Sequence, residues 1–251
     1  MTAFSARLFS TAQPILDTIE KEPFVQGLAH GRLPKAALVF YVQQDFNYLN
    51  AFMKVYASAI LKCENREDIA FFHGQIGFIL NSEIHPHHVL CDVAGVEYES
   101  LWYAPQAPTT YLYNEHMYNA ARTGDLIDVA AAMTACPWVY GEVARRLVAQ
   151  GRNGADNPFA PWIDFYADPM LDGEESVTVS LQRIIDREAE HSDAARLDEV
   201  EARFLRSCEL EYRFFEQAFH QDDWTFADVI EHAPAPAGES SAAPAQPALA
   251  G

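Results

Sequence analysis

Apolar side chains recur at three- and four-residue spacing along nearly the whole chain, and this repeat is the period of a helix face. Alternating β-branched residues approach strand length only in the short stretch 175–180. The expected architecture is therefore all-α. Proline and glycine punctuate it. Pro34 before KAALVFYVQQDFNYLNAFMKVYASAILK opens a long helix expected to end near Cys63. A second helix is expected from Arg66 to His88, closed near Pro86, followed by a turn at Gly95 and a short element over 97–103. Further helices are expected at 109–122, 125–150, 161–167, 173–190, 193–220 and 224–231.

From Ala233 the chain reads APAPAGESSAAPAQPALAG, a proline-alanine stretch with almost nothing bulky to bury, so 233–251 is expected to be disordered and 1–232 to form a single domain. The hydrophobic fraction of 49% is enough for one large core in a chain of 251 residues. Against 36 acidic residues stand 17 Lys and Arg, a net charge of −19, which argues against nucleic acid and anionic membrane surfaces as partners. Small neutral or cationic ligands stay open. There is no apolar run of about 18 residues. The N-terminal stretch has no basic segment leading into an apolar one, so a cytoplasmic protein is expected. Cys63, Cys91, Cys136 and Cys208 are far apart without a CxxC pair, which speaks against a zinc knuckle or a thioredoxin-type motif and for reduced thiols.

The informative positions are ionisable residues where the helical pattern calls for a hydrophobe, because an unpartnered buried charge is costly. Asp45 interrupts the stripe formed by Tyr41, Val42, Tyr48 and Leu49. Glu211 interrupts another, between Ser207 and Cys208 on one side and Phe214 and Phe215 on the other. Burial would raise the pKa of such an acid, and an acid kept protonated near neutrality is what general acid catalysis needs. Taken singly, either acid could instead pair with an arginine. Cys136 lies in AAMTACPWVYGEV, where Pro137 removes a backbone donor and could open the helix locally. Beside tyrosines and a buried acid it could be a nucleophile; isolated, it would be packing. Tyr48, Tyr113, Tyr140, Tyr166, Phe46 and Phe214 cluster near these interruptions, and could pack the core or line a flat heteroaromatic pocket.

Metal chemistry is tested by NSEIHPHH, where Glu83, His85, His87 and His88 fall together, and by Glu188-x-x-His191. A dinuclear bundle site needs two Glu-x-x-His pairs, and only the second stretch has that spacing, amid charges that read as a solvated surface. The histidines around Pro86 read as a helix-end cap or dipole interaction.

Four blocks, KEPFVQGLAHGRLPKAALVFYVQQDFNYLNAF, TACPWVYGEVA, APWIDFYAD and ELEYRFFEQAFHQDDW, resemble in order and spacing the signatures of the TenA, or thiaminase II, family. The resemblance covers the whole expected domain. It implies a haem-oxygenase-like helical bundle without bound haem and a homo-oligomer, commonly a tetramer. It also implies hydrolytic release of the pyrimidine half of thiamin or its breakdown products, with no metal and no cofactor. Residue by residue, Cys136 matches the nucleophile of the cysteine-bearing branch and Glu211 the acid that protonates the departing amine. Asp45 matches the carboxylate on the aminopyrimidine edge, Tyr48, Tyr113, Tyr140 and Tyr166 match pocket tyrosines, and Phe214 matches a stacking ring. Phe46, Asn114 and Phe215 depart from the family pattern at or beside the pocket and bear on substrate preference. Two rival readings are a non-catalytic pyrimidine sensor and a metal-dependent oxidase on the same fold.

Overall fold

The computed structural model describes residues 3–82, 84–168 and 176–231. The stretch 233–251, Glu83 and the start of the expected 173–190 helix lie outside the described residues. Among those described there is no strand. The chain runs α1 (Phe4–Ile19), α2 (Pro23–Ala29), α3 (Lys35–Ile60), α4 (Arg66–Asn81) and α5 (Ile84–Ala94), then a 3₁₀ turn (Tyr98–Leu101). It continues through α6 (Pro108–Thr123), α7 (Leu126–Ala149), α8 (Ala160–Ala167), α9 (Val177–Ala189), α10 (Ala194–His220) and α11 (Ala227–Glu231).

Three long helices form the frame. α7 packs against α10 on one side and against α8 and α9 on others, while α3 packs against α4, α5, α6 and α10. α7 begins with a capping box, in which Asp125 and Asp128 satisfy each other's backbone donors, and α10 begins on the Asp193 side chain. Gly151 closes α7 in the left-handed region at φ 70°, with the amide of Arg152 donating to the carbonyl of Leu147 at 2.9 Å. One contiguous apolar cluster runs through all the long helices.

The structure departs from the expected elements in four places. The chain before Pro34 forms two helices, α1 with Pro14 in its interior and a buried face of Leu8, Ala12, Leu16 and Ile19. The helix expected from Arg66 to His88 is two helices, broken at Ser82, and Pro86 belongs to the first turn of α5, where its missing N–H would have had no helical partner. His85, His87 and His88 therefore stand at the start of a helix and do not cap the end of one. The strand-like stretch turns into helix from Val177, capped by Ser176. Pro137 does not interrupt α7, which continues through it to Ala149.

Candidate active site

The apolar stripe of α3 that Asp45 interrupts is buried, and Asp45 itself is 5% exposed. Its partner is not an arginine. Asp45 Oδ2 lies 2.6 Å from His87 Nε2, and His87 Nδ1 lies 3.0 Å from the Tyr98 hydroxyl. The first turn of α5 and the following 3₁₀ turn thus supply what the carboxylate on α3 needs.

Glu211 faces inward from α10 at 1% exposure and accepts a 2.5 Å hydrogen bond from the Tyr113 hydroxyl of α6. Burial pushes its pKa up to about 8; the Tyr113 hydroxyl and the nearby Tyr48 hydroxyl oppose the rise, and the negative charge of Asp45 adds to it. At neutral pH the protonated form predominates. The Tyr48 hydroxyl is buried and makes no hydrogen bond of standard geometry. Tyr113, which the resemblance puts on the heterocycle, is thus the residue that holds Glu211.

Tyr140 on α7 shares a 2.6 Å hydrogen bond with Tyr41 on α3. Burial drives the phenols of Tyr41, Tyr48, Tyr113 and Tyr140 well above their ordinary range, so each keeps its proton. Glu211 and Cys136 lie within electrostatic reach of all four, and Asp45 within reach of Tyr41 and Tyr140. The three chemical groups therefore surround one aromatic cluster. Its rings pack at tilted angles: Tyr48 lies 4.8 Å from Tyr113 and 5.7 Å from Phe214 between centres, and Tyr140 lies 4.9 Å from Tyr166 and 5.3 Å from Phe215.

Cys136 is half-buried on α7, is in no disulfide, and lines a cavity of about 60 Å³ together with Tyr140 and Tyr166. Leu49, Phe52, Phe78 and Ile79 form much of the remaining wall, with Gln75 as a polar exception. Asp45, Tyr48, Tyr113, Glu211 and Phe214 do not line this cavity; they form the adjoining buried cluster, joined to it through Tyr140 and Tyr41. A wider surface groove of about 820 Å³ between α6 and α10 holds alternating Arg and Glu and none of these residues.

Of the three positions that bear on specificity, Phe215 is beside the site. Phe215 packs on Tyr140 and 6.4 Å from Tyr41, and Asn114 is buried within α6 with its amide donating to Gln106 at 3.3 Å. Phe46 is elsewhere: it stacks on Trp102 at 5.5 Å and against Tyr103 at 5.3 Å, because at one residue past Asp45 it points to a different face of α3. His87 and Tyr41 are site residues to which the sequence pattern assigns no part in the pocket: His87 reads as one of the helix-end histidines around Pro86, and Tyr41 as part of the apolar stripe. Tyr41 was legible as the residue one turn before Asp45; the histidine cluster around Pro86 was visible, but its pairing with Asp45, 42 residues away, has no local signal.

Among the described residues no group of three or more His, Cys, Asp or Glu is arranged to hold a metal ion. Glu188 is engaged 2.9 Å from Arg187, and His85 and His88 are exposed.

Comparison with known proteins places this geometry in context. The model of the TENA/THI-4/PQQC family matches residues 10–221. The chain is 32% identical over 232 residues to the aminopyrimidine aminohydrolase of Staphylococcus saprophyticus, covering 90% of this chain and 98% of that one. A solved TenA family transcription regulator from Silicibacter superposes with a TM-score of 0.75 at 25% identity, covering 86% of this chain and 96% of the other. A Shewanella denitrificans domain with a heme oxygenase-like fold superposes with a TM-score of 0.64 at 15% identity, covering 92% and 96% of the two chains.

Proposed function

Because the chain belongs to the TENA/THI-4/PQQC family, we propose that it is an aminopyrimidine aminohydrolase, a C–N hydrolase that releases 4-amino-5-hydroxymethyl-2-methylpyrimidine from its 5-aminomethyl counterpart and from thiamin. The observation that carries the reading is a buried carboxyl lifted to about 8 across an aromatic cluster from a cysteine that lines a cavity. An amine is a poor leaving group from a saturated carbon, so the ring must first lose its aromaticity. Cys136 Sγ bonds to the ring carbon next to the one bearing the side chain as the thiol proton passes to a ring nitrogen. Glu211 gives its proton to the side-chain nitrogen as the C–N bond breaks. Water then adds to the exocyclic carbon and yields a proton to the Glu211 carboxylate. The Sγ–C bond breaks, the ring proton returns to the sulfur and aromaticity is restored. The net change is amine plus water to alcohol plus ammonia.

In this scheme Asp45 accepts from the exocyclic amine and from the ring nitrogen once that nitrogen carries its proton, Tyr113 orients Glu211, Tyr48, Tyr140 and Tyr166 wall the heterocycle, and Phe214 stacks on it. We place the protein in the cytoplasm, where its unbridged cysteines suit a reducing medium, and as a homotetramer; exposed Tyr111, Leu112 and Phe226 are apolar surface that association would cover. Sedimentation should return four copies per particle. No helix of the described residues is long and apolar enough to cross a membrane.

The deciding experiment incubates the purified protein with 4-amino-5-aminomethyl-2-methylpyrimidine and with thiamin, beside Cys136→Ser. Hydroxymethylpyrimidine should appear, faster from the aminopyrimidine, and fall at least about a hundredfold in the variant while ligand binding survives. Full turnover by Cys136→Ser would remove the covalent step. Tight binding without product from either compound would turn the reading toward a sensor.

A further inference from the structure

We infer that His87 is a positioning residue which commits one oxygen of Asp45 and leaves the other to the substrate. The inference rests on the reading of Asp45 as the carboxylate that meets the aminopyrimidine edge.

His87 is fully buried, and both its ring nitrogens are bonded to side chains: Nε2 to Asp45 Oδ2 at 2.6 Å and Nδ1 to the Tyr98 hydroxyl at 3.0 Å. A core histidine that merely needs satisfying can use backbone carbonyls. This one instead connects a carboxylate on α3 to a phenol in the 3₁₀ turn. An ionised carboxylate can only accept, so while Asp45 is charged the Nε2 position must carry the proton. Nδ1 is then an acceptor and takes the Tyr98 O–H. Tyr98 keeps its proton over the working range, because burial holds its pKa above the ordinary value. The chain Tyr98 to His87 to Asp45 thus has one consistent direction of donation, ending on Oδ2.

A carboxylate whose Oδ2 is held cannot turn about its last bond, so Oδ1 has a defined place from which to accept an amino N–H. Without His87 the carboxylate would be free to rotate, which spoils a fixed acceptor for the exocyclic amine.

A double-mutant cycle on binding of the hydroxymethylpyrimidine product tests this. His87→Leu, with folding checked by circular dichroism, should weaken binding about tenfold, the scale of one charge-assisted hydrogen bond, and raise KM more than it lowers kcat. In an Asp45→Asn background the same change should cost nothing further, since its effect passes through the carboxylate. His87→Gln, whose amide can still donate to Oδ2, should recover part of the loss. Equal losses in both backgrounds would overturn the inference, and so would unchanged binding in folded His87→Leu. Should His87→Leu not fold, Tyr98→Phe replaces it, with a smaller loss that must likewise vanish in Asp45→Asn. Unchanged binding in Asp45→Asn alone would instead bring down the reading of Asp45, and the inference with it, a result distinct from a sensitive Asp45 with an indifferent His87.

Discussion

Glu211 has a side chain whose environment sets its protonation state within the range where an enzyme works. Its pKa is raised from 4.5 to about 8, so the acid form is abundant at neutrality and disappears as pH climbs through about 8. Turnover that depends on proton delivery should fall across that interval, and Glu211→Gln, which has no proton to lose, should show low activity without an alkaline limb. The Tyr113 hydrogen bond lowers the Glu211 pKa, so Tyr113→Phe should move the limb to higher pH. Profiles of kcat/KM between about pH 6 and about pH 10 read both effects; a limb unmoved in Tyr113→Phe would detach it from Glu211. Linkage gives the sign for stability. A carboxyl raised in the folded state contributes fully below its unfolded value of 4.5, and that contribution is lost as pH rises through about 8. The melting temperature of the wild type should therefore decline toward alkaline pH more than that of Glu211→Gln.

At the scale of helices, the join between α7 and α10 depends on a charge. Asp128, in the first turn of α7, is buried beneath Arg196 and Arg203 of α10, the latter at 3.0 Å. Burial alone would raise its pKa, yet the hydrogen bonds from Arg196 and from Asp125 hold it below the ordinary value. Its contribution is thus present above the usual carboxylate range and lost as pH falls through its folded pKa. Asp128→Ala leaves two arginines facing a gap and should cost about 2 kcal/mol, less than a fully buried pair because both arginines are partly exposed. Thermal unfolding should show a drop of roughly 4–8 °C. Helices of this kind were legible where capping and breaking residues mark their ends: Pro34 before α3, Gly95 after α5, Asp125 before α7 and Asp193 before α10. The break between α4 and α5 was not, although Asn81 and Ser82 are residues of the N-capping type, because Pro86 reads as the end of one helix when it belongs to the first turn of the next. The same limit governs the site. Asp45 and Glu211 stood out as charges on apolar stripes, a local property. Their partners His87 and Tyr113 lie 42 and 98 residues away in sequence, and only tertiary packing brings them together.

For the molecule as a whole, the net charge of −19 is carried almost entirely by residues 1–232, since 233–251 contains a single charged side chain, Glu239. The solved Silicibacter relative is described as a transcription regulator, which makes DNA binding a question of charge placement as well as of total charge. The groove between α6 and α10 gathers Arg122, Arg203, Arg206 and Arg213, the arrangement a phosphate backbone would require. Three of them are already engaged: Arg122 with Glu115 at 2.9 Å, Arg203 with Asp128 at 3.0 Å and Arg213 with Glu209 at 3.0 Å. A duplex entering the groove would break those pairs and bring its phosphates against the released carboxylates, while the overall field repels it at longer range. Neutralising phosphates is what generates affinity and its steep salt dependence, and this surface has little free positive charge with which to do it. Fluorescence anisotropy of a labelled duplex at roughly 50 mM salt should therefore stay flat up to protein concentrations of about 10 μM. A rise that vanishes on adding salt would show that the groove opens its ion pairs to phosphate, and would place a regulatory activity beside the hydrolytic one.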